Sequence, residues 1–257
     1  MAGVALRREG GAAWLVVDRP EARNALNGAA MDELDRIFTE AASWDDCHAL
    51  FIRGSGQHAF IAGGDLKELE SVREEDFARQ LAIRMRRTLD RIPALPMPVV
   101  AAVNGHAIGG GAEVAVACDF RVMVAGSRIG FTQTRLGLMP AWGGIERLVS
   151  LAGRGRALLM LMTGAELTAE EAFELGLVEV VVERDHFETR LGELARLFAE
   201  TPRAALAGIK RAAGSAAAYA RPELEERAAT DFARVWIDPE HWTALERATE
   251  RRRRARA

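Results

Sequence analysis

The sequence predicts an α/β fold with parallel strand pairing and a helical C-terminal region. Pro98 to Val103 is a near-continuous run of β-branched residues and alanine, the pattern of a strand buried on both faces. Strand and helix signals alternate before and after it, which implies parallel strands joined by crossovers. From Asp185 onward only helical periodicity remains.

The elements follow in order. Val4 to Glu9 and Ala13 to Asp18 flank Gly10-Gly11 and read as a β-hairpin. Asn27 is placed to cap a helix whose apolar face is Met31, Leu34, Ile37, Phe38 and Ala41. His48 to Arg53 reads as a strand ended by Gly54-Ser55-Gly56, and Asp65 is placed to start a short helix. A long helix through Phe77, Leu81, Met85, Leu89 and Ile92 stops at Pro93. After the Pro98–Val103 strand come a helix over Gly110–Ala117 and a strand over Phe120–Val124. Glycine-started helices follow Pro140, and Leu177 to Val182 reads as one more strand. Arg221-Pro222 and Asp238-Pro239 punctuate the helical remainder. The expected division is a core over 1–195 and a helical region over 196–257.

Composition excludes several classes of function. With a net charge of −3 there is no global attraction for nucleic acid. The basic run Arg251 to Arg254 follows Glu246 and Glu250 at helical spacing, which favours a solvated helix end over an anion-binding tail. Cys47 and Cys118 lack metal spacing and suggest no disulfide framework, which fits a reducing compartment. The N-terminus has no apolar signal core and no run reaches the ~18 apolar residues of a membrane span. A cytoplasmic location is expected.

Several nucleotide and hydrolase motifs fail on inspection. Gly105-His106-Ala107-Ile108-Gly109-Gly110-Gly111 is not a dinucleotide fingerprint, because Val114 stands where its last glycine belongs, and it lacks the lysine of a P-loop. No G-x-S-x-G elbow and no H-E-x-x-H zinc motif occur.

Two glycine-rich turns remain, Ala62-Gly63-Gly64-Asp65 and Gly109-Gly110-Gly111-Ala112-Glu113. Glycine lets a backbone N–H approach a ligand closely, and two N–H groups converging on one oxygen form an oxyanion hole. The second turn also carries Glu113 into an apolar run, Val114 to Ala117. A first-turn carboxylate stabilised by the helix dipole is one reading of Glu113. A buried, functional carboxylate is the other. Desolvation would raise its pKa and the helix terminus would lower it. His106 and Cys118 read more simply as structural than as base or nucleophile. Trp142, before Gly143-Gly144, is either core or pocket wall.

Phe60-Ile61-Ala62-Gly63-Gly64-Asp65-Leu66-Lys67 resembles the first signature of the crotonase, or enoyl-CoA hydratase/isomerase, superfamily. Pro98 to Glu113, with Ala117-Cys118-Asp119-Phe120-Arg121, resembles the second. Asp18-Arg19-Pro20, Asn24-Ala25-Leu26, Leu136-Gly137-Leu138 and Leu161-Met162-Thr163-Gly164 fall in order around them. The resemblance implies a crotonase-like spiral of ββα units with a C-terminal helical trimerisation region. It implies a homo-oligomer, trimer or dimer of trimers, and an acyl-CoA thioester substrate. Coenzyme A then belongs to the substrate, and no separate cofactor or metal is expected. The implied oxyanion donors are the N–H groups of Gly64 and Gly110. Coenzyme contacts are implied at Ala62, Gly63, Asp65 and Leu66 and near Arg23 and Ala25, and Trp142, in its pocket-wall reading, is a further candidate for substrate binding. Arg23 and Lys67 are candidates for the coenzyme's phosphates or are solvated surface residues.

One departure stands out. Hydratases of this family use two glutamates, and the second falls here on Gln133, an amide that exchanges no proton at neutral pH. The Gly109–Met123 stretch and Pro140-Ala141-Trp142-Gly143-Gly144 also resemble ethylmalonyl-CoA decarboxylase, which likewise lacks the second glutamate. The expected function is therefore enolate stabilisation of the hydratase/isomerase type. Decarboxylation of a methyl- or ethylmalonyl-type thioester and a non-catalytic acyl-CoA-binding subunit are the alternatives.

Overall fold

Gly10 and Gly11 take φ values of 59° and 78°, the left-handed pair whose twist suits a two-residue hairpin. They join β1 (Val4–Glu9) antiparallel to β2 (Ala12–Val17). The computed structural model describes residues 3–70, 72–216 and 222–254. Asn27 caps α1 (Gly28–Ala41) by accepting from Ala30 N at 2.9 Å, and α1 buries the predicted face. β3 (Ala49–Gly54), β4 (Ala59–Ile61) and the single turn α2 (Leu66–Leu69) follow. Asp65 caps α2 through Lys67 N at 3.2 Å. α3 (Glu75–Asp90) gives way to a 3-10 turn over Ile92–Ala94 that contains Pro93.

Next come β5 (Val99–Val103), β6 (His106–Ile108), α4 (Gly110–Ala117), β7 (Phe120–Val124) and β8 (Arg128–Gly130). A 3-10 segment over Thr132–Leu136 leads to α5 (Gly144–Ala152) and α6 (Arg154–Thr163). Then come β9 (Glu166–Thr168), α7 (Ala169–Glu174) and β10 (Val180–Val182). The helical remainder is α8 (Phe187–Glu200), α9 (Arg203–Ala216), α10 (Pro222–Ile237) and α11 (Pro239–Arg254). Pro222 and Pro239 each open a helix, as first-turn proline favours. Arg221 lies outside the described residues. Arg254 pairs with Glu250 at 2.9 Å, one helical turn away, at an exposed helix end.

One sheet has the order β1-β2-β3-β5-β7-β10, parallel throughout except for β1. A smaller one has the order β4-β6-β8-β9, with β9 antiparallel. Successive ββα units each give their first strand (β3, β5, β7) to the large sheet and their second (β4, β6, β8) to the small one. The chain is therefore a spiral of ββα units with helices at its C-terminal end, as expected.

The last strand is shorter than predicted. Leu177 N and Val178 N both bond Ala172 O, at 2.8 and 3.2 Å. Those amides close the end of α7, so only Val180–Val182 pair with the sheet, against Val122–Val124. α7 itself starts on a reciprocal Thr168/Glu171 capping box. Among the described residues no helix is long and apolar enough to cross a membrane.

Candidate active site

The small sheet brings the two glycine turns together. β4 and β6 pair in parallel, so the turns that leave their C-terminal ends lie side by side. Leu26 N donates to Gly63 O at 2.7 Å and Asp65 N to Leu26 O at 2.9 Å, which fixes the first turn. Gly109 N donates to Gly130 O at 2.8 Å and fixes the second. A Cβ on Gly63 would stand 3.0 Å from Gly110 N, and one on Gly111 would overlap the Ile61 carbonyl oxygen. Only glycine permits this approach. Among the described residues, neither Gly64 N nor Gly110 N donates a backbone hydrogen bond. Gly110 is the first residue of α4, where no intrahelical acceptor exists for its N–H.

Glu113 sits one turn into α4 and is 2% exposed. The helix is apolar all round, so nothing on it solvates the carboxyl. Its partners come from elsewhere. Oε2 accepts from Trp142 N at 2.7 Å and Gly144 N at 2.9 Å. Oε1 accepts from Gln133 Nε2 at 3.0 Å. Burial outweighs the backbone donors of Gly144 and Trp142 and the charge of Arg147, and pushes the Glu113 pKa up to about 7. The direction left open by the sequence is thus upward.

The loop that feeds these N–H groups is itself held from behind. Arg147 is buried and donates to Trp142 O at 2.9 Å. Its other arm pairs with Asp90, which also lies 3.5 Å from Arg86. Arg86 in turn pairs with Glu146 at 2.8 Å. Burial lowers the Arg147 pKa and raises that of Asp90. A Cβ on Gly110 would overlap the Trp142 indole, and one on Gly64 would stand 3.9 Å from it. The indole therefore packs against both glycine turns.

The other predicted residues divide. Ala62, Gly64, Asp65 and Leu66 are half-buried around the first turn, and Gly63 is buried. Asp65 is engaged within the protein, bound to Arg19 at 2.8 Å and capping α2. Ala25 is buried, with its carbonyl oxygen bonded by Arg19. Arg23 and Lys67 are exposed, Arg23 in a left-handed conformation (φ 54°). His106 is exposed and its Nδ1 accepts from Arg128 N at 3.1 Å, a structural arrangement. Cys118 is buried with its thiol pushed up to about 12, which makes it a poor nucleophile. No group of three or more His, Cys, Asp or Glu capable of holding a metal occurs among the described residues.

Sequence reasoning missed Arg147 and Gly144. Arg147 follows Gly143-Gly144 on an otherwise amphipathic helix and reads as surface. A buried arginine is legible only once Asp90, a distant residue in the chain, is seen beside it.

Fold and site together define an α/β spiral protein in which two glycine turns lie side by side and a buried carboxyl sits one turn into the helix that the second of them opens. The chain belongs to the enoyl-CoA hydratase/isomerase family, whose model matches residues 7–241. It is 35% identical over 192 residues to the short-chain-enoyl-CoA hydratase of Clostridium acetobutylicum, covering 75% of this chain and 73% of that protein. It is 33% identical over 246 residues to the ethylmalonyl-CoA decarboxylase of Gallus gallus, covering 94% and 82%. Among solved structures, the enoyl-CoA hydratase of Bacillus anthracis superposes with a TM-score of 0.80 at 31% identity, covering 97% of this chain and 96% of that one.

Proposed function

We propose that this chain processes an acyl-CoA thioester through its enolate, in the hydratase/isomerase manner, with Glu113 as the sole proton-transfer group. The observation that carries this reading is the buried Glu113 carboxyl, with its pKa near 7, beside the Gly64 and Gly110 turns. The thioester oxygen rests between those two N–H groups. Charge moving onto it meets fixed dipoles away from water, and one such donor is worth roughly 3–4 kcal/mol by analogy with side-chain oxyanion donors.

A single carboxyl closes the proton balance. In hydration the Glu113 carboxylate takes a proton from water as the oxygen bonds to the β-carbon. The enolate then takes that proton at the α-carbon, and the carboxylate is restored. In isomerisation the same carboxyl removes a proton from one carbon and returns it to another. Gln133 orients water or substrate without exchanging a proton.

Gln133 favours a second reading, decarboxylation, as does the likeness to the Gallus gallus enzyme over 94% of the chain. Breaking the bond to a substrate carboxylate releases carbon dioxide and leaves the same enolate with no base required. The acid form of Glu113 then protonates the α-carbon.

Two assays separate these readings. With crotonyl-CoA, hydration consumes the enoyl chromophore. With methyl- or ethylmalonyl-CoA, decarboxylation releases carbon dioxide. Tight acyl-CoA binding with neither signal supports a non-catalytic binding subunit instead. The pH profile of kcat/KM adds a sign. A step that starts from the carboxylate gives a rate that rises through pH about 7 and then levels. A step that starts from the acid gives one that falls through the same pH. A profile flat across that range removes Glu113 from the limiting step.

Gln133→Glu puts a second carboxyl within hydrogen-bond reach of Glu113. The pair then holds one proton between them at neutral pH, so an acid and a base are present together. Hydration is expected to rise about tenfold or more. An unchanged rate shows that the second acid is not what limits it.

Exposed Leu159 and Met162 on α6 and Phe173 on α7 support assembly into a homo-oligomer, a trimer or a dimer of trimers. The two free, buried thiols support a reducing compartment such as the cytoplasm.

A further inference from the structure

A charged network lies buried behind the site. Arg147 on α5 and Arg86 on α3 are both buried. Between them stands Asp90 of α3, paired with Arg147 and 3.5 Å from Arg86. Arg86 also pairs with Glu146 of α5 at 2.8 Å. Two guanidinium groups and two carboxylates cancel. Buried ion pairs stabilise a fold little or not at all relative to well-packed apolar side chains, so stability is a weak reason for this set to be here.

One arm of the network reaches Glu113. Arg147 Nη1 donates to Trp142 O at 2.9 Å, and the Trp142 N–H donates to Glu113 Oε2 at 2.7 Å. Arg147 Nη2 donates to Asp90 Oδ1. A Cβ on Gly143 would overlap Arg147 Nη1, so the guanidinium lies against the loop that carries both backbone donors to the carboxyl. A guanidinium is a rigid planar fork. Holding one nitrogen at Asp90 therefore aims the other at Trp142 O.

The charge matters as well as the aim. Arg147 is the charged group that most favours the ionised Glu113, against the opposing effect of burial. Asp90 offsets that charge, and without it the network carries a net positive charge behind the carboxyl. The neighbouring groups are matched by partners of their own. Arg121 on β7 pairs with Glu179, and Lys210 on α9 pairs with Asp119 at 2.6 Å. His106 Nδ1 on β6 accepts from Arg128 N, and Arg135 beside Gln133 pairs with Glu166. The His241 imidazole of α11 bonds Leu136 O at 2.5 Å, with its pKa lowered by burial.

We propose that Asp90 is a positioning residue for the reaction: it aims Arg147 at the Trp142 carbonyl and offsets the charge that Arg147 presents to Glu113. This rests on Glu113 as the proton-transfer group and adds the residue that governs its proton.

The test separates charge from aim. Asp90→Asn keeps an acceptor for Arg147 and removes the charge, whereas Asp90→Ala removes both. Carbon-13 NMR of the carboxyl groups follows Glu113 without any substrate, its signal assigned by loss in Glu113→Gln. The pH profile of kcat/KM, with crotonyl-CoA and with ethylmalonyl-CoA, follows it in turnover. In both Asp90 variants the midpoint near 7 is expected to move about 0.5–1 pH unit toward acid, less than the ~1–3 of a charge in direct contact. The limiting kcat holds in Asp90→Asn and falls about tenfold or more in Asp90→Ala, where the loop donors are misplaced. Arg147→Gln removes the opposite charge and moves the midpoint toward base, which tests the sign even if the Asp90 variants do not fold. Asp119→Asn breaks the pair with Lys210, and there a lower melting temperature is expected with the midpoint in place. An unmoved midpoint in Asp90→Asn overturns the proposal, as does an equal displacement in Asp119→Asn or the same kcat in Asp90→Ala as in Asp90→Asn. If the wild type turns over neither thioester while the NMR midpoints move as expected, the acyl-CoA reading falls and the control of the Glu113 proton by Asp90 stands.

Discussion

Glu113→Gln is expected to lower turnover by at least about 10²-fold, the contribution of a positioned proton-transfer group. The substitution suits the purpose because the fold can absorb it. The new amide oxygen can take the place of Oε2 and accept from Trp142 N and Gly144 N. Its NH2 then faces Gln133, whose own amide can turn to accept. Hydrogen bonding is conserved while the proton is lost. A second measurement separates chemistry from structure. The folded state keeps a proton on Glu113 up to pH about 7, where the free carboxyl loses it near 4.5. Between those values the native protein binds more protons than the unfolded chain, so this group's contribution to stability falls as pH rises and then levels. The difference across the window is at most roughly 3 kcal/mol. Glu113→Gln lacks that loss, so its melting temperature should gain on the wild type between pH 5 and pH 8. An inactive variant with this gain identifies Glu113 as a group held for function against stability. Wild-type turnover in Glu113→Gln removes the carboxyl from the chemistry.

The long elements were legible because each is written locally. The Asn27 cap and five apolar positions of α1 predict its start and its buried face, and the β-branched run predicts β5 between two parallel neighbours. β8 and β9 were not identified, because a strand of three residues carries no measurable period. α7 was missed despite a legible Thr168-x-x-Glu171 cap. The site divides in the same way. Gly64, Gly110 and Glu113 announce themselves by a backbone need and a misplaced charge. The Glu113 partners at Trp142 and Gly144 are residues distant in the chain, and the Arg147–Asp90 pair behind them joins α5 to α3. Such contacts leave no periodic trace.

Gly144→Ala is expected to lower turnover by about 10²-fold, the scale of a reacting group misplaced by about 1 Å. Gly143 and Gly144 look alike in the sequence but are needed for different reasons. Gly143 has φ 88°, a conformation in which a side chain is strained. Gly144 has no such φ; it is needed for space, since a Cβ there stands 2.5 Å from Glu113 Cγ and 2.8 Å from Oε2. Alanine keeps the Gly144 N–H and suits a helical first turn, so α5 still forms. The new methyl drives the carboxyl away from both the loop amides and Gln133. Coenzyme contacts lie elsewhere in this reading, so KM should hardly move while kcat falls. The apparent pKa near 7 should shift as well, because the displaced carboxyl loses the backbone donors that lower it. Unchanged kcat together with an unchanged pH profile would show that Glu113 need not sit where the loop holds it.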